Sequence, residues 1–255
     1  MKKRAFAVAA HPDDIEFMMA GTLFLLKEAG YEIHYMNIAN GDRGSAVYDQ
    51  EMTARVRREE AKAAAAYLGA HFHDSICSDL EVFYRTDLLK QMTAIMREVA
   101  PEILLVQYPF DYMEDHCNSA RLAVSAAFCR GMKNWRSAPP LEPIMNEVTV
   151  YHAMPYGLHD PLRQPVKADF YVNISSVLDK KREMLAKHRS QKEWLDASQG
   201  MDSYLQEMER QAAECGKRSG HLDYAEGWIR RLHLGFCPPN ADPLVQALAG
   251  KIHRS

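Results

Sequence analysis

Residues 5–16 read AFAVAAHPDDIE: an apolar run from Ala5 to Ala10 meets one imidazole and three carboxylates, His11, Asp13, Asp14 and Glu16. Carboxylates crowded this closely repel one another and resist desolvation unless a cation or hydrogen-bond donors offset them. A metal ion is one such partner. The competing reading is a polar turn after a strand, in which His11 or Asp13 caps the helix that follows.

Working outward, the apolar run predicts a first strand over residues 6–10. Apolar side chains at helical spacing then predict a helix over 17–29 that stops at Gly30, a residue suited to the left-handed turn after a helix. YEIHYMNIA at 31–39 reads as a second strand, emptying into NGDRG at 40–44. A helix over 53–68 closed by Gly69, a strand within 72–83 and a helix over 86–99 come next. EILLVQ at 102–107 is a buried strand by its unbroken apolar run, and it opens into a polar loop ending Asp111-Tyr112-Met113-Glu114-Asp115-His116 and a helix to about residue 130. Strand-like 148–152 and 170–174 precede two or three helices over 176–214, and a short apolar helix starts near Pro243. Short strands alternating with longer helices specify a Rossmann-like α/β fold, with a mostly parallel sheet and helices on both faces. We expect a single domain over 1–255, its core over about 1–175 and a helical C-terminal extension over about 176–255.

Composition narrows the partners. Among 255 residues, Lys plus Arg is 31 and Asp plus Glu is 34, for a net charge of −3, which gives no reason to expect nucleic acid. The opening Met-Lys-Lys-Arg resembles the start of a signal peptide, but the apolar run meets His11 before a full hydrophobic region develops. No stretch approaches the roughly 20 apolar residues of a membrane span. The five cysteines are odd in number and include no C-x-x-C pair, which suits reduced thiols. The expectation is a cytoplasmic protein acting on a small molecule, with a terminal helix that packs on its own domain or on a second subunit of a homo-oligomer.

In an open parallel α/β sheet, ligands bind outside the carboxyl ends of the strands. The loops HPDD, NGDRG and DYMEDH all leave such ends and share one rim if their strands run the same way. A catalytic Zn²⁺ takes three N or O ligands and keeps one position open. His11 and Asp14 from one turn, with His116 from a distant loop, supply that set. Asp13 is then the candidate general base, since a zinc ion brings the pKa of its water to about 7, and it is also a candidate N-cap. Asp115 is expected to orient His116 through a hydrogen bond behind the ligand.

AHPDDIE after a first strand, R-x-x-E-A and L-G within residues 57–69, and Asp115-His116 together resemble the PIG-L (LmbE-like) zinc-dependent deacetylases. The likeness continues through Lys187-His188-Arg189-Ser190-Gln191 and Tyr224-Ala225-Glu226. It implies a Rossmann-like fold and removal of acetyl groups from N-acetylglucosamine-type or related amides. By the same resemblance, one Zn²⁺ per chain is held by His11, Asp14 and His116, and Asp13 acts as the base. Asp42 and Arg57 fall in pocket-lining segments of that family, and Arg43 and Asp111 complete the expected substrate-contacting set. One position departs from the pattern: family members often carry a His three residues before the last ligand, where this chain has Met113. Tyr112, His152 and Arg43 are the candidate replacements, the alternative being that Asp13 shuttles the proton both ways. Two other readings stay open, a non-catalytic metal- or sugar-binding homologue and a metal-assisted hydrolase of another bond such as a phosphoester.

Overall fold

The run that precedes His11 forms strand β1, Arg4–Ala9, at the middle of the sheet. The computed structural model describes residues 2–191 and 204–254. Within them the chain continues through α1 (Asp14–Met18), α2 (Ala20–Glu28), β2 (Glu32–Asn37), α3 (Gln50–Leu68), β3 (His71–His73) and α4 (Thr86–Val99). Then come β4 (Ile103–Val106), α5 (Glu114–Cys129), β5 (Thr149–Ala153), β6 (Phe170–Asn173) and α6 (Leu178–Leu185). After the gap follow α7 (Tyr204–Arg218), β7 (Ala225–Arg230), α8 (Pro243–Ala247) and β8 (Ile252–His253). Part of the helical stretch expected over 176–214 lies outside the described residues.

The strands form one eight-stranded sheet in the order β3-β2-β1-β4-β5-β7-β6-β8. From β3 through β5 every pairing is parallel. The chain moves from β1 outward to β2 and β3, then crosses back so that β4 lies on the other side of β1. That reversal opens the crevice where doubly wound folds bind ligands, and the loops carrying His11 and His116 flank it. No helix among the described residues is long and apolar enough to cross a membrane.

Alternation along β1 shows why its whole length is apolar. Ala5, Ala7 and Ala9 pack on one face with Leu23, Leu26 and Tyr35, while Phe6 and Val8 pack on the other with Met92, Met96 and Ala123. Helices thus cover both faces, and neither tolerates a polar residue. The left-handed glycines expected after the first and second long helices are there, Gly30 at φ +87 and Gly69 at φ +71.

Two features depart from the sequence expectation. The single helix anticipated over 17–29 is two helices, broken at Met19, whose backbone (φ −131, ψ −17) is not helical. Glu226 explains the break: its carboxylate accepts from the N–H groups of Gly21 (2.8 Å) and Thr22 (2.7 Å), satisfying donors at the new N-terminus. A side chain at Gly21 would meet Ile174 at 2.6 Å, so only glycine fits there. The second departure is β7. Helices occupy the region after residue 175 as expected, but Ala225–Arg230 also returns to the sheet, antiparallel, between β5 and β6.

Glu226 is buried, and Lys181 Nζ donates to it at 2.6 Å with both side chains at 3% exposure or less. Removing one partner of such a pair strands the other charge without water, at about 3–5 kcal/mol. Glu226→Ala should therefore lower the urea unfolding free energy by about 3–5 kcal/mol. Lys180→Ala, which breaks the exposed pair with Glu28, should cost at most about 1 kcal/mol. Equal effects of the two substitutions would contradict this assignment.

Candidate metal centre

Backbone and side chain together fix the turn after β1. Ala10 N donates to Gln107 Oε1 (2.8 Å), Asn37 Nδ2 donates to the His11 carbonyl (2.6 Å), and His11 N donates to Asp14 Oδ2 (2.8 Å). The loop is thereby tied to both neighbouring strand ends. The stretch HPDDIE sends its carboxylates in three directions, which resolves the crowding apparent in the sequence. Glu16 turns into the core, where Tyr35 donates to it at 3.2 Å and His188 Nε2 lies 3.2 Å away. Asp13 meets Arg57, and Asp14 faces two imidazoles.

Those imidazoles are His11 and His116, and each has its outer nitrogen engaged. His11 Nε2 lies 3.0 Å from Asp115 Oδ2, and His116 Nδ1 lies 2.9 Å from Asp111 Oδ1. A carboxylate only accepts, so these nitrogens carry the hydrogens and leave His11 Nδ1 and His116 Nε2 as lone pairs. The two lone pairs point at one oxygen: Asp14 Oδ2 is 3.5 Å from His11 Nδ1 and 3.4 Å from His116 Nε2. Metal–ligand bonds of about 2.0–2.2 Å at tetrahedral angles put donor atoms about 3.4 Å apart. The donor set therefore fits a zinc-sized ion, with the three residues buried and their ligand atoms within 4.8 Å of one another.

With no cation between them, the carboxylates draw protons onto the imidazoles; an ion in that place takes over the positive charge and leaves His11 Nδ1 and His116 Nε2 as lone pairs. Burial works against a charged imidazole at His11, yet its hydrogen bonds to Asp115 and Asp14 raise it to about 10. Burial likewise opposes the Asp14 carboxylate, yet His116 and His11 hold it well below the usual range. The centre favours positive charge.

Asp13 occupies the N-cap position of α1 but makes no capping hydrogen bond. Its backbone sits at φ 108, a conformation that costs a non-glycine residue about 1–3 kcal/mol and recurs at functional sites. The strained turn aims the carboxylate at Arg57 Nη2, 3.3 Å away, with Tyr204 as a further hydrogen-bond partner. Burial pushes Asp13 up to about 6, against the pull of Arg57. Arg57 also donates to the carbonyl of Pro12 and approaches that of Gly41 at 3.5 Å. Gly41 has φ +79, and an added Cβ would come within 2.6 Å of the Arg57 side chain. The glycine in NGDRG thus lets the arginine lie across the loop.

A cavity of about 340 Å³ opens over this group. Of the residues expected there, His11, Asp13, Asp14, Arg43, Arg57 and His116 line it, as do Tyr112 and Met113. Asp115 serves His11, whereas the sequence suggested His116. Asp111, expected to touch substrate, is buried behind His116 and supports its ring instead. Asp42 is also buried: it accepts from Gln50 Nε2 (2.6 Å) and Asp79 N (3.0 Å) and braces the loop from behind. His152 is not in the wall; its Nδ1 donates to the Gln107 carbonyl and its Nε2 faces Arg231. Asp79, Gln191 and Tyr204 are among the wall residues that escaped the sequence reading. Asp79 accepts from Gly41 N at 2.7 Å, Gln191 lies in the quoted Lys187–Gln191 segment, and Tyr204 carried no local signal.

Comparison with known proteins follows the same lines. The family described as PIG-L, GlcNAc-PI de-N-acetylase, matches residues 6–127, a span that includes both ligand loops. The chain is 27% identical over 248 residues to diacetylchitobiose deacetylase of Thermococcus kodakarensis, covering 92% of this chain and 86% of that one. It is 32% identical over 190 residues to 4-oxalmesaconate hydratase of Pseudomonas putida, covering 71% of this chain and 70% of that one. The solved N,N'-diacetylchitobiose deacetylase of Pyrococcus horikoshii shares the fold, with a TM-score of 0.74 at 22% identity over 90% of this chain and 84% of that one. Family match, relatives and fold agree, and the chain belongs to the PIG-L (GlcNAc-PI de-N-acetylase) family.

Proposed function

We propose that the protein is a metal-dependent N-deacetylase of an N-acetylamino sugar or a similar small N-acyl compound. The observation that carries this reading is the division of labour between adjacent carboxylates. Asp14 Oδ2 faces two imidazole lone pairs at 3.4 and 3.5 Å, while Asp13 lines the same cavity and is turned to Arg57. A site that only held a metal would have no use for the second carboxylate. The family and the deacetylase relatives support the same chemistry.

His11 Nδ1, Asp14 Oδ2 and His116 Nε2 would hold the ion. A zinc-like cation there would polarise the amide carbonyl and acidify water. Asp13 accepts the proton of the attacking water and carries it to the departing amine. Arg57 and Tyr204 hold its carboxylate in position meanwhile. Methionine at 113 offers neither a proton nor a hydrogen bond. Tyr112 and Arg43 line the cavity and are the groups available to donate to the oxyanion. His152, buried on Gln107 and Arg231, is not.

A second reading is hydration of a carbon–carbon double bond, favoured by the 32% identical hydratase and by Met113. Adding water to an alkene forms a C–O bond at one carbon and a C–H bond at the other; the base that deprotonates the water can return that proton to carbon, and with no amine to release, a separate histidine acid at 113 is not required. Amine release from N-acetylglucosamine and N,N'-diacetylchitobiose by stripped and Zn²⁺-reloaded protein separates the two. The deacetylase reading predicts metal-dependent release. Turnover of 4-oxalmesaconate without amine release would replace it with hydration.

Asp13→Asn should bind metal as the parent does and lose about 10²- to 10⁴-fold in turnover. Full turnover in that variant would remove Asp13 from the mechanism. Asp115→Ala and Asp111→Ala should each weaken metal affinity by about 10- to 100-fold, since each frees the ring it orients. Isothermal titration with Zn²⁺ checks this, and unchanged affinity in both would refute the tautomers assigned to His11 and His116.

A further inference from the structure

Away from the cavity, β2 and β3 carry a second group of potential ligands. His34 and His71 are register partners on adjacent parallel strands, and their rings stack at 4.9 Å between centroids. Glu32 precedes His34 by two residues on β2, so its side chain shares the same face, and its Oε1 lies 3.2 Å from His34 Nε2. The ligand atoms of Glu32, His34 and His71 all fall within 4.8 Å of one another. His73 completes the arrangement from behind, its Nε2 2.9 Å from His34 Nδ1.

We propose that Glu32, His34 and His71 form a second divalent-metal site, for Zn²⁺ or a similar imidazole-preferring ion, that fastens the three-residue edge strand β3 to β2. Three observations support it. An Oε1–Nε2 separation of 3.2 Å suits two ligands of one ion with bonds of about 2.0–2.2 Å. Without an ion His34 Nε2–H donates to the Glu32 carboxylate and its Nδ1 accepts from His73 Nε2; an ion at His34 Nε2 is matched by the other neutral tautomers, with Nδ1–H donating to His73. His71 is exposed, which gives an ion a path in.

Arg4 Nε and Lys2 Nζ also bond Glu32, at 3.0 and 3.2 Å. They leave room for an ion: Lys2 takes Oε2, and Oε1 has two lone pairs, one for Arg4 and one directed toward His34. The role follows from the fold. A strand of three residues at the edge of a sheet has few ladder hydrogen bonds of its own, and an ion shared between β2 and β3 makes up that deficit.

Zn²⁺ alone is the probe. Chelator-stripped full-length protein is dialysed against buffered Zn²⁺ and its metal content measured beside His71→Ala, Glu32→Gln and Asp14→Ala. The proposal expects about two equivalents for the parent and about one for each variant, with Asp14→Ala losing the catalytic ion and the others the second. Because His71 is exposed, its loss does not threaten folding, and saturating Zn²⁺ should raise the melting temperature of the parent more than that of His71→Ala. One equivalent in the parent, or equal content in parent and His71→Ala, would overturn the second site and leave the catalytic assignment untouched. Loss on His71→Ala but not on Glu32→Gln would also overturn it, by pointing to a surface imidazole acting alone.

Discussion

A single carboxylate oxygen, Asp14 Oδ2, faces two imidazole nitrogens whose lone pairs have been left free, and the rest of the site exists to keep it so. Asp115 and Asp111 occupy the outer nitrogen of each ring. The His11 backbone N–H holds the carboxylate from a third side at 2.8 Å. Without a cation, the buried carboxylates are balanced by protons drawn onto the imidazoles, the positive charge that an ion would otherwise supply. The fold tolerates this cluster at the reversal point of the strand order, where the loops leaving the paired strands β1 and β4 diverge and a cavity opens.

The neighbouring residue tells a complementary story. Asp13 carries backbone strain at φ 108, and its carboxylate is committed to Arg57 and Tyr204 in place of capping its own helix. The surrounding parts enforce that choice: Arg57 is pinned by the carbonyls of Pro12 and Gly41, and Gly41 must be glycine for the guanidinium to lie where it does. Asp13 and Asp14, adjacent in sequence, thus have distinct surroundings, Asp14 facing two imidazoles and Asp13 facing Arg57 and Tyr204. That separation is the physical basis for proposing hydrolysis above simple metal storage. It does not by itself choose the bond that is attacked, and Met113 is where deacetylation and hydration make different demands.

Much of the fold was legible because its signals are local. The apolar run before His11, the glycines at 30 and 69 and the periodicity of α4 mark their elements without help from the rest of the chain. The convergence of His11, Asp14 and His116 was legible too, since the parallel-sheet rule brings strand-end loops together. Which carboxylate supports which imidazole was not. Asp115 is adjacent to His116 in sequence but at the start of a helix points elsewhere, and it finds His11 across the crevice; Asp111 reaches back over the turn to His116 instead. Strand β7 was missed for a related reason. Its Glu226 stands in the family-like Tyr224-Ala225-Glu226 segment without naming its partners, which in the fold are Lys181 and two N–H groups of α2. Long-range polar partners are invisible to periodicity, and they supply the corrections here.

The most direct test of the central claim is a crystal structure of the Zn²⁺-loaded protein with anomalous data at the zinc edge. The account predicts an anomalous peak about 2.0–2.2 Å from His11 Nδ1, Asp14 Oδ2 and His116 Nε2, with the Asp115 and Asp111 hydrogen bonds intact behind the rings. Coordination through the opposite nitrogen of either ring, or no ion at these three residues at saturating Zn²⁺, would contradict it.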